Sequence, residues 1–411
     1  MTSLQRWLAT PMVLAPTLLN PSMAQSTDGS LVMIGGALRY DNAEVWQRVV
    51  TLAGGRGAKI AVFGTAAENP MRSATNAIAA LNKAGAEAFF VPIGLRQIDI
   101  DYKAAVHSPQ LVKQVASANG IYFTGGDQLR IVQALYDDKG RNTPVLDAVW
   151  AVYRKGGVIA GTSAGAAVMS TSMFGDPKDP LTMLKNGMYE GKETARGLGF
   201  IGPDVFVDQH LLVRGRFARM LQIMQMWGYQ QGVGIDENTA VVMRGLDAEV
   251  IGYRGALVVD LSESSSDNKL PAFNIRNAKL SYLDHGDRYN FGSKTLTPAP
   301  SKATEPRVDP NDTNYTPYYQ TRNFAPNILG NSTVVEVMSN LIDNTHQETI
   351  GLAFGDPNDE KPELGFEFRF RKGKDSMGWY AGSAAGEDYT VANIYVDVTP
   401  VHFNHPLYRP Y

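Results

Sequence analysis

Residues 157–170 read GVIAGTSAGAAVMS: an apolar run, a glycine-flanked Ser163, then an alanine-rich segment. A strand that turns on Gly161 and Gly165 into a helix lifts the Ser163 hydroxyl clear of a sheet edge. It also points the Ala164 N–H, at the start of that helix, toward anything bound there. The same pattern also serves as plain α/β scaffolding, and a Gly-x-Ser-x-Gly match alone is weak in a chain with 40 glycines. Its setting, strand then turn then helix, is what a nucleophile elbow requires.

The flanking sequence fixes the fold class. LVMIGGAL (31–38), KIAVFGTA (59–66), EAFFVPI (87–93), GIYFTGGD (120–127) and GVIAGTSA (157–164) are continuous apolar runs. Parallel strands covered on both faces read this way. Between them, segments such as 72–86 and 105–120 carry helical periodicity and end at glycine. The series predicts an α/β protein with a doubly wound, mostly parallel sheet sandwiched by helices, its sites at the carboxyl ends of the strands. GG or GT follows four of the strands, so backbone can approach a ligand there. Residues 228–245 read as a strand pair closing this unit.

At 411 residues and 44% apolar content the chain can bury a full core. A net charge of −3 provides no general basic field, so nucleic acid is not expected as a partner. The absence of cysteine excludes disulfides, thiolate nucleophiles and cysteine metal sites. No ligand cluster recommends a metal, and no cofactor is expected. Residues 1–24, with Arg6, an apolar run from Trp7 to Leu19 and Ser22-Met23-Ala24, fit a secretory signal cleaved after Ala24. No other run approaches membrane-spanning length, so a secreted or periplasmic protein without a membrane partner is expected. A catalytic domain over 28–262 follows. Composition then shifts to Ser, Asn, Pro and Tyr, which predicts a linker or long excursion over 263–325. The remainder, 326–411, holds a helix pattern at 331–344 and alternating strands, and reads as an accessory α+β extension. The sequence leaves the oligomeric state open, a homodimer included.

A serine hydroxyl needs a base within reach and a group that orients the base. The stretch VDQHLLVRGRFARM (207–220) supplies His210 directly after an apolar strand, together with Asp208, Gln209, Arg214, Arg216 and Arg219. A solvated basic helix face is the ordinary explanation of three such arginines. The histidine, carboxylate and amide beside a strand end argue instead for a site that binds carboxylates, with His210 as general base. His107, His285, His346, His402 and His405 read as structural or peripheral. Glu237, in GIDENTA (234–240), is the favoured orienting carboxylate and Asp236 its nearest rival. The order Ser, His, Glu differs from that of α/β-hydrolases, where the acid precedes the histidine.

FTGGDQLRI (123–131), GTSAGAAVMS (161–170), DQHLLVRGRFARM (208–220) and GIDENTA, in this order and spacing, resemble the cyanophycinases of peptidase family S51, relatives of aspartyl dipeptidases. The resemblance covers roughly residues 31–260, and segments near the end resemble secreted members. It implies a class I glutamine amidotransferase-like fold. The implied activity is that of a serine-type exopeptidase on cyanophycin, a poly-aspartate with arginine on each side-chain carboxyl, releasing β-aspartyl-arginine dipeptides. Position by position, it implies Ser163 as nucleophile, His210 as base and Glu237 as orienting acid. Gly126 or Asp127 would join Ala164 in the oxyanion hole. Gln128, Asp208, Gln209, Arg214, Arg216 and Arg219 would bind substrate, although Gln128 alone reads as a helix-start residue. An aspartyl dipeptidase acting on short β-aspartyl peptides, or a non-catalytic binding protein for anionic peptides, are the other functions this sequence allows.

Overall fold

The computed structural model describes residues 29–304, 307–383, 386–407 and 409–411. The signal segment expected over 1–24 lies outside them. Five parallel strands form the heart of one sheet: β1 (Ser30–Ile34), β2 (Lys59–Phe63), β3 (Glu87–Val91), β4 (Gly120–Phe123) and β5 (Val158–Thr162). They lie in the order β1-β5-β4-β2-β3. Beyond β1 the sheet continues antiparallel through Thr239–Arg244, Asp247–Gly252, Arg288–Asn290 and Thr295–Thr297.

Alternate residues of β1 enter different cores, Leu31 and Met33 one, Val32 and Ile34 the other, so both faces of the sheet are covered. Helices Ala43–Leu52 and Pro70–Lys83 supply Trp46, Val49, Ala77 and Leu81 to one core. Pro109–Ala116, Gln128–Leu135 and Pro144–Arg154 supply the other. Several helices start on a polar cap followed by proline: Asn69-Pro70, Ser108-Pro109, Thr143-Pro144 and Asp179-Pro180. The side chain accepts an N–H that the helix cannot satisfy, and proline occupies the position whose missing N–H costs nothing.

Two features differ from expectation. First, the two strands within 228–245 do not pair. Thr239–Arg244 joins β1, whereas Gln231–Ile235 lies in a second sheet between Val205–Gln209 and Ala256–Asp260. Both strands are apolar and adjacent in sequence, and nothing local says which partner each one takes. The crossing between sheets is Asp236, Glu237 and Asn238.

Second, the stretch 263–325, expected as a linker or long excursion, contributes a strand to the second sheet. Ile275–Leu283 pairs with Ala256–Asp260 on one side and with Gly386–His402 on the other, so the second sheet runs without a break from the catalytic segment into the C-terminal region. Its remaining strands are Leu364–Arg371, Glu348–Ala353 and Phe324–Ala325, with Met377–Ser383 hairpinned onto Gly386–His402. Helix Thr333–Ile342 packs Val334, Val337, Met338 and Leu341 into the same core as Phe206 and Phe217. The polar composition belongs to the loops around Ile275–Leu283 and to a bulge between Ile275 and Ala278.

Within that stretch Lys302 is buried. Its ammonium donates to Thr390 Oγ1 at 2.7 Å and lies 3.3 Å from Asp284 and 3.4 Å from Asp287. Burial raises the Asp287 carboxyl above the usual carboxylate range, Lys302 opposing the shift. Removing one member of such a buried pair leaves the other charge uncompensated. Lys302→Ala is therefore expected to destabilise the fold by about 3–5 kcal/mol, read as a lowered midpoint in urea denaturation. An unchanged midpoint would show that the stretch is not part of the cooperative fold.

Candidate active site

β5 delivers its chain to Ser163 at φ 53 and ψ −112, a conformation that L-residues avoid. Several contacts hold it there. Its N–H donates to the Ile34 carbonyl at 2.9 Å, and its own carbonyl accepts from Ala166 and Ala167. The outer glycines are steric requirements: a Cβ on Gly161 would lie 2.3 Å from the Gly165 carbonyl oxygen, and one on Gly165 2.3 Å from that of Phe123. The turn thus has the backbone of a nucleophile elbow.

His210 ends the strand Val205–Gln209, again at positive φ, 52°. Its N–H donates to the Gly35 carbonyl at 2.7 Å, and its imidazole lies against Gly36, where a Cβ would sit 2.2 Å from Cε1. No side chain other than hydrogen fits at position 36. Asn238, the residue after Glu237, donates its N–H to the Gly36 carbonyl at 2.8 Å. Ile34, Gly35 and Gly36 therefore each hold one of the three segments that carry Ser163, His210 and Glu237.

The side chains meet. Ser163 Oγ is 2.8 Å from His210 Nε2, and His210 Nδ1 is 2.6 Å from Glu237 Oε1. A carboxylate can only accept, so Nδ1 carries the hydrogen and Nε2 presents a lone pair to the serine hydroxyl. Burial holds the His210 pKa below its ordinary value of 6.5, with the Glu237 hydrogen bond pulling the other way and Arg214 and Arg216 adding to the lowering. Asp236, the rival acid, is buried and turned to other work. It accepts from the Leu212 and Val213 N–H groups at 3.2 and 3.1 Å and from Arg254 at 2.9 Å, which fixes the loop after His210. His285 pairs with Glu44, His346 with Asn344 and His405 with the Pro362 carbonyl, none of them among the Ser163 contacts.

The arginines separate into different environments. Arg214 is half-exposed, with Nη2 4.0 Å from Glu237 Oε1. Arg216 donates to the Gln209 carbonyl at 2.8 Å and to Gln209 Oε1 at 2.7 Å. Burial, then the neighbouring Arg219, pushes its pKa down to about 10. Asp208 and Arg219, expected as substrate ligands, are instead a closed pair. They are 1% and 2% exposed and bonded at 2.8 and 3.0 Å, with the guanidinium over the Phe174 ring. A bidentate pair taken out of water spends both charges on each other. It stiffens the base of the cluster without touching a ligand directly.

Gln128 anchors its amide nitrogen on the Phe174 and Gly175 carbonyls at 2.9 and 3.1 Å, bonds that do not use its amide oxygen. Asp127 is corrected as an oxyanion donor: its N–H is bonded to the Ala66 carbonyl at 2.9 Å, and its carboxylate caps the helix through the Leu129 N–H. Gly126, at φ 143 and with no room for a Cβ against Ala66, and Ala164 at the helix start are the backbone donors left for that role. Sequence reasoning missed the parts played by Gly36 and Asn238. The GG after β1 was the one signal of the former, and a lone asparagine gives none.

A family model described as Peptidase family S51 matches residues 32–251. The chain belongs to peptidase family S51. A curated cyanophycinase from a Nostoc species is 31% identical over 286 residues, 67% of this chain and 90% of that protein. Another, from Geminocystis herdmanii, is 33% identical over 279 residues, 65% of this chain and 96% of that one. Among solved structures, a peptidase from an acI-B1 Actinobacterium aligns with a TM-score of 0.45 and 23% identity, over 64% of this chain and 97% of that one. This S51 peptidase is accordingly a hydrolase.

The geometry predicts its pH dependence. If neutral His210 is the working form, the lowered pKa keeps it neutral further into acid than an ordinary histidine, so the acid limb of kcat/KM should fall below pH 6.5. Glu237→Gln removes the contribution that raises the pKa. Its limb should move further to acid while kcat falls by about 10³–10⁴-fold. A limb that moves upward, or an unaltered kcat, would show that Glu237 does not orient His210.

Proposed function

We propose that this peptidase is a serine-type exopeptidase that releases β-aspartyl-arginine dipeptides from cyanophycin through an acyl-enzyme on Ser163. The observation that carries the proposal is the Ser163–His210–Glu237 chain of contacts at 2.8 and 2.6 Å on an elbow that only such a turn would strain into place. The names of the relatives supply the substrate class. His210 Nε2 takes the hydroxyl proton as Oγ bonds to the scissile carbonyl carbon. The resulting oxyanion is received by the Gly126 and Ala164 N–H groups. His210 then returns the proton to the departing amine, and a water repeats the sequence to free the acid. Each oxyanion donor is worth about 10²–10³ in rate.

The half-exposed Arg214 and the Gln209-bound Arg216 suit carboxylates, including the terminal one an exopeptidase must find. Gln128 offers its amide oxygen toward a guanidinium group, while that of Gln209 holds Arg216. Asp208 and Arg219 act at one remove, by setting Gln209 and the helix that follows.

Incubation with purified cyanophycin and mass analysis of the products tests the reading. Wild type should yield β-aspartyl-arginine, and Ser163→Ala should lose at least about 10³-fold in rate while keeping its circular dichroism spectrum. Activity that survives Ser163→Ala removes the nucleophile. Hydrolysis confined to short aspartyl dipeptides would make the protein a dipeptidase of the same group.

Export belongs to the same proposal and rests on residues 1–24. Protein recovered from periplasm or medium should begin at Gln25, and recovery only from cytoplasm with Met1 intact would overturn it.

A further inference from the structure

The segment that follows His210 is held from two directions. From one, Asp236 accepts the Leu212 and Val213 N–H groups at 3.2 and 3.1 Å. From the other come residues 329–332, which lie outside the 32–251 that match the family model. The Ser332 N–H donates to the Leu212 carbonyl at 3.2 Å, the same oxygen that accepts from the Gly215 N–H. Gly215, at φ 57, lies against the Leu329 carbonyl, where a Cβ would fall 2.1 Å from the oxygen. Arg214 stands between Leu212 and Gly215, so both ends of its short segment rest on the C-terminal region.

That support is itself fixed on both sides. Ile328 is buried, and its N–H donates to the Leu352 carbonyl at 2.9 Å, in the strand Glu348–Ala353. Ser332 opens the helix Thr333–Ile342, whose apolar face belongs to the core shared with Phe217. A serine at a helix start ordinarily has extended backbone and caps the helix with its hydroxyl. Ser332 instead takes φ 60 and ψ 0, where side-chain-bearing residues are uncommon, and its hydroxyl donates to Asn331 Oδ1 at 3.0 Å. The strained conformation forgoes the usual cap and aims the N–H at Leu212.

We propose that residues 329–332 are a positioning element for the substrate-binding loop: they set where Arg214 stands, and through it how tightly the enzyme holds a substrate carboxylate. The inference rests on the reading of Arg214 as a carboxylate ligand. Among the three arginines of the loop and the helix after it, Arg216 is tied to Gln209 and Arg219 to Asp208. Arg214, whose side chain is half-exposed, is the one whose place depends on the backbone beneath it. A long cationic side chain on a loose loop loses backbone and rotamer freedom when it grips a ligand. Holding Leu212 and Gly215 in advance removes the backbone share of that cost.

The first arm of the test needs no substrate and follows the His210 titration by NMR in protein carrying 15N-labelled histidine. Burial, Arg214 and Arg216 lower that pKa and Glu237 raises it, so Arg214→Ala should move it upward. Gly215→Ala should move it upward too, since the added methyl pushes the segment off the Leu329 carbonyl and releases Arg214 into solvent. Two glycines inserted after Gly330 should act alike without adding bulk, and they replace Gly215→Ala if that variant does not fold. In the Arg214→Ala background neither change should shift the pKa further. On cyanophycin, Gly215→Ala and the insertion should each raise KM by about 3- to 30-fold while kcat stays within about 3-fold. Labelling of Ser163 by a fluorophosphonate should keep its rate. An unmoved His210 pKa, a loss in kcat instead of KM, or effects that persist in the Arg214→Ala background would overturn the positioning element. Titrations as expected, with no β-aspartyl-arginine released by wild type, would overturn the substrate reading alone.

Discussion

Three successive carbonyls, those of Ile34, Gly35 and Gly36, accept the N–H groups of Ser163, His210 and Asn238 at 2.9, 2.7 and 2.8 Å. These donors come from the end of β5, the end of a strand in the other sheet, and the crossing between the sheets. Side chains that must agree to a few tenths of an ångström are thus referenced to one short piece of backbone instead of to one another. The arrangement works only if that backbone can be approached from all sides. Position 36 accordingly has no side chain beneath the imidazole, and a Cβ at position 35 would fall 2.0 Å from the Asp236 carbonyl oxygen. Strain at Ser163 and His210, both in the left-handed region of φ, is offset by these bonds and by the cores behind them.

Much of this was legible in the residues. β1 to β5 announce themselves because a strand buried on both faces has no polar positions to interrupt the run. The elbow is legible because Gly161 and Gly165 flank a serine at a strand-to-helix junction. Glu237 over Asp236 could be favoured but not decided, since adjacent carboxylates in a turn differ only in where the turn points them. What escaped is non-local. The strands Gln231–Ile235 and Thr239–Arg244 look like a hairpin, yet they part into different sheets, and pairing over long sequence distances leaves no mark on either strand. Ile275–Leu283 was hidden by its polar surroundings and by Arg276 and Asn277, which lie in a bulge.

The charged segment after Val207 shows the same limit from another side. Asp208, Arg214, Arg216 and Arg219 are equivalent on paper, and charge beside a strand end suggests a ligand for all of them. Side-chain direction separates them. Asp208 points into the core that Arg219 reaches from the following helix, Arg216 turns back onto Gln209, and Arg214 stays near solvent beside Glu237. Burying the first pair costs desolvation that its mutual bonds repay at best in part. What it secures is a fixed Gln209 and a cluster of positive charge that helps keep His210 in its neutral form.

Gly386–His402 lies in the middle of the second sheet, flanked by Leu364–Arg371 and Ile275–Leu283, although it comes last in chain order among the strands of the described residues. Without it, the half-sheet that bears His210 ends in an open edge, and so does the half-sheet from the C-terminal region. Unpaired edges of this kind invite the wrong neighbour. The sheet that carries His210 is therefore closed by a segment far along the chain, and the hydrolytic half and the C-terminal region share one set of backbone hydrogen bonds.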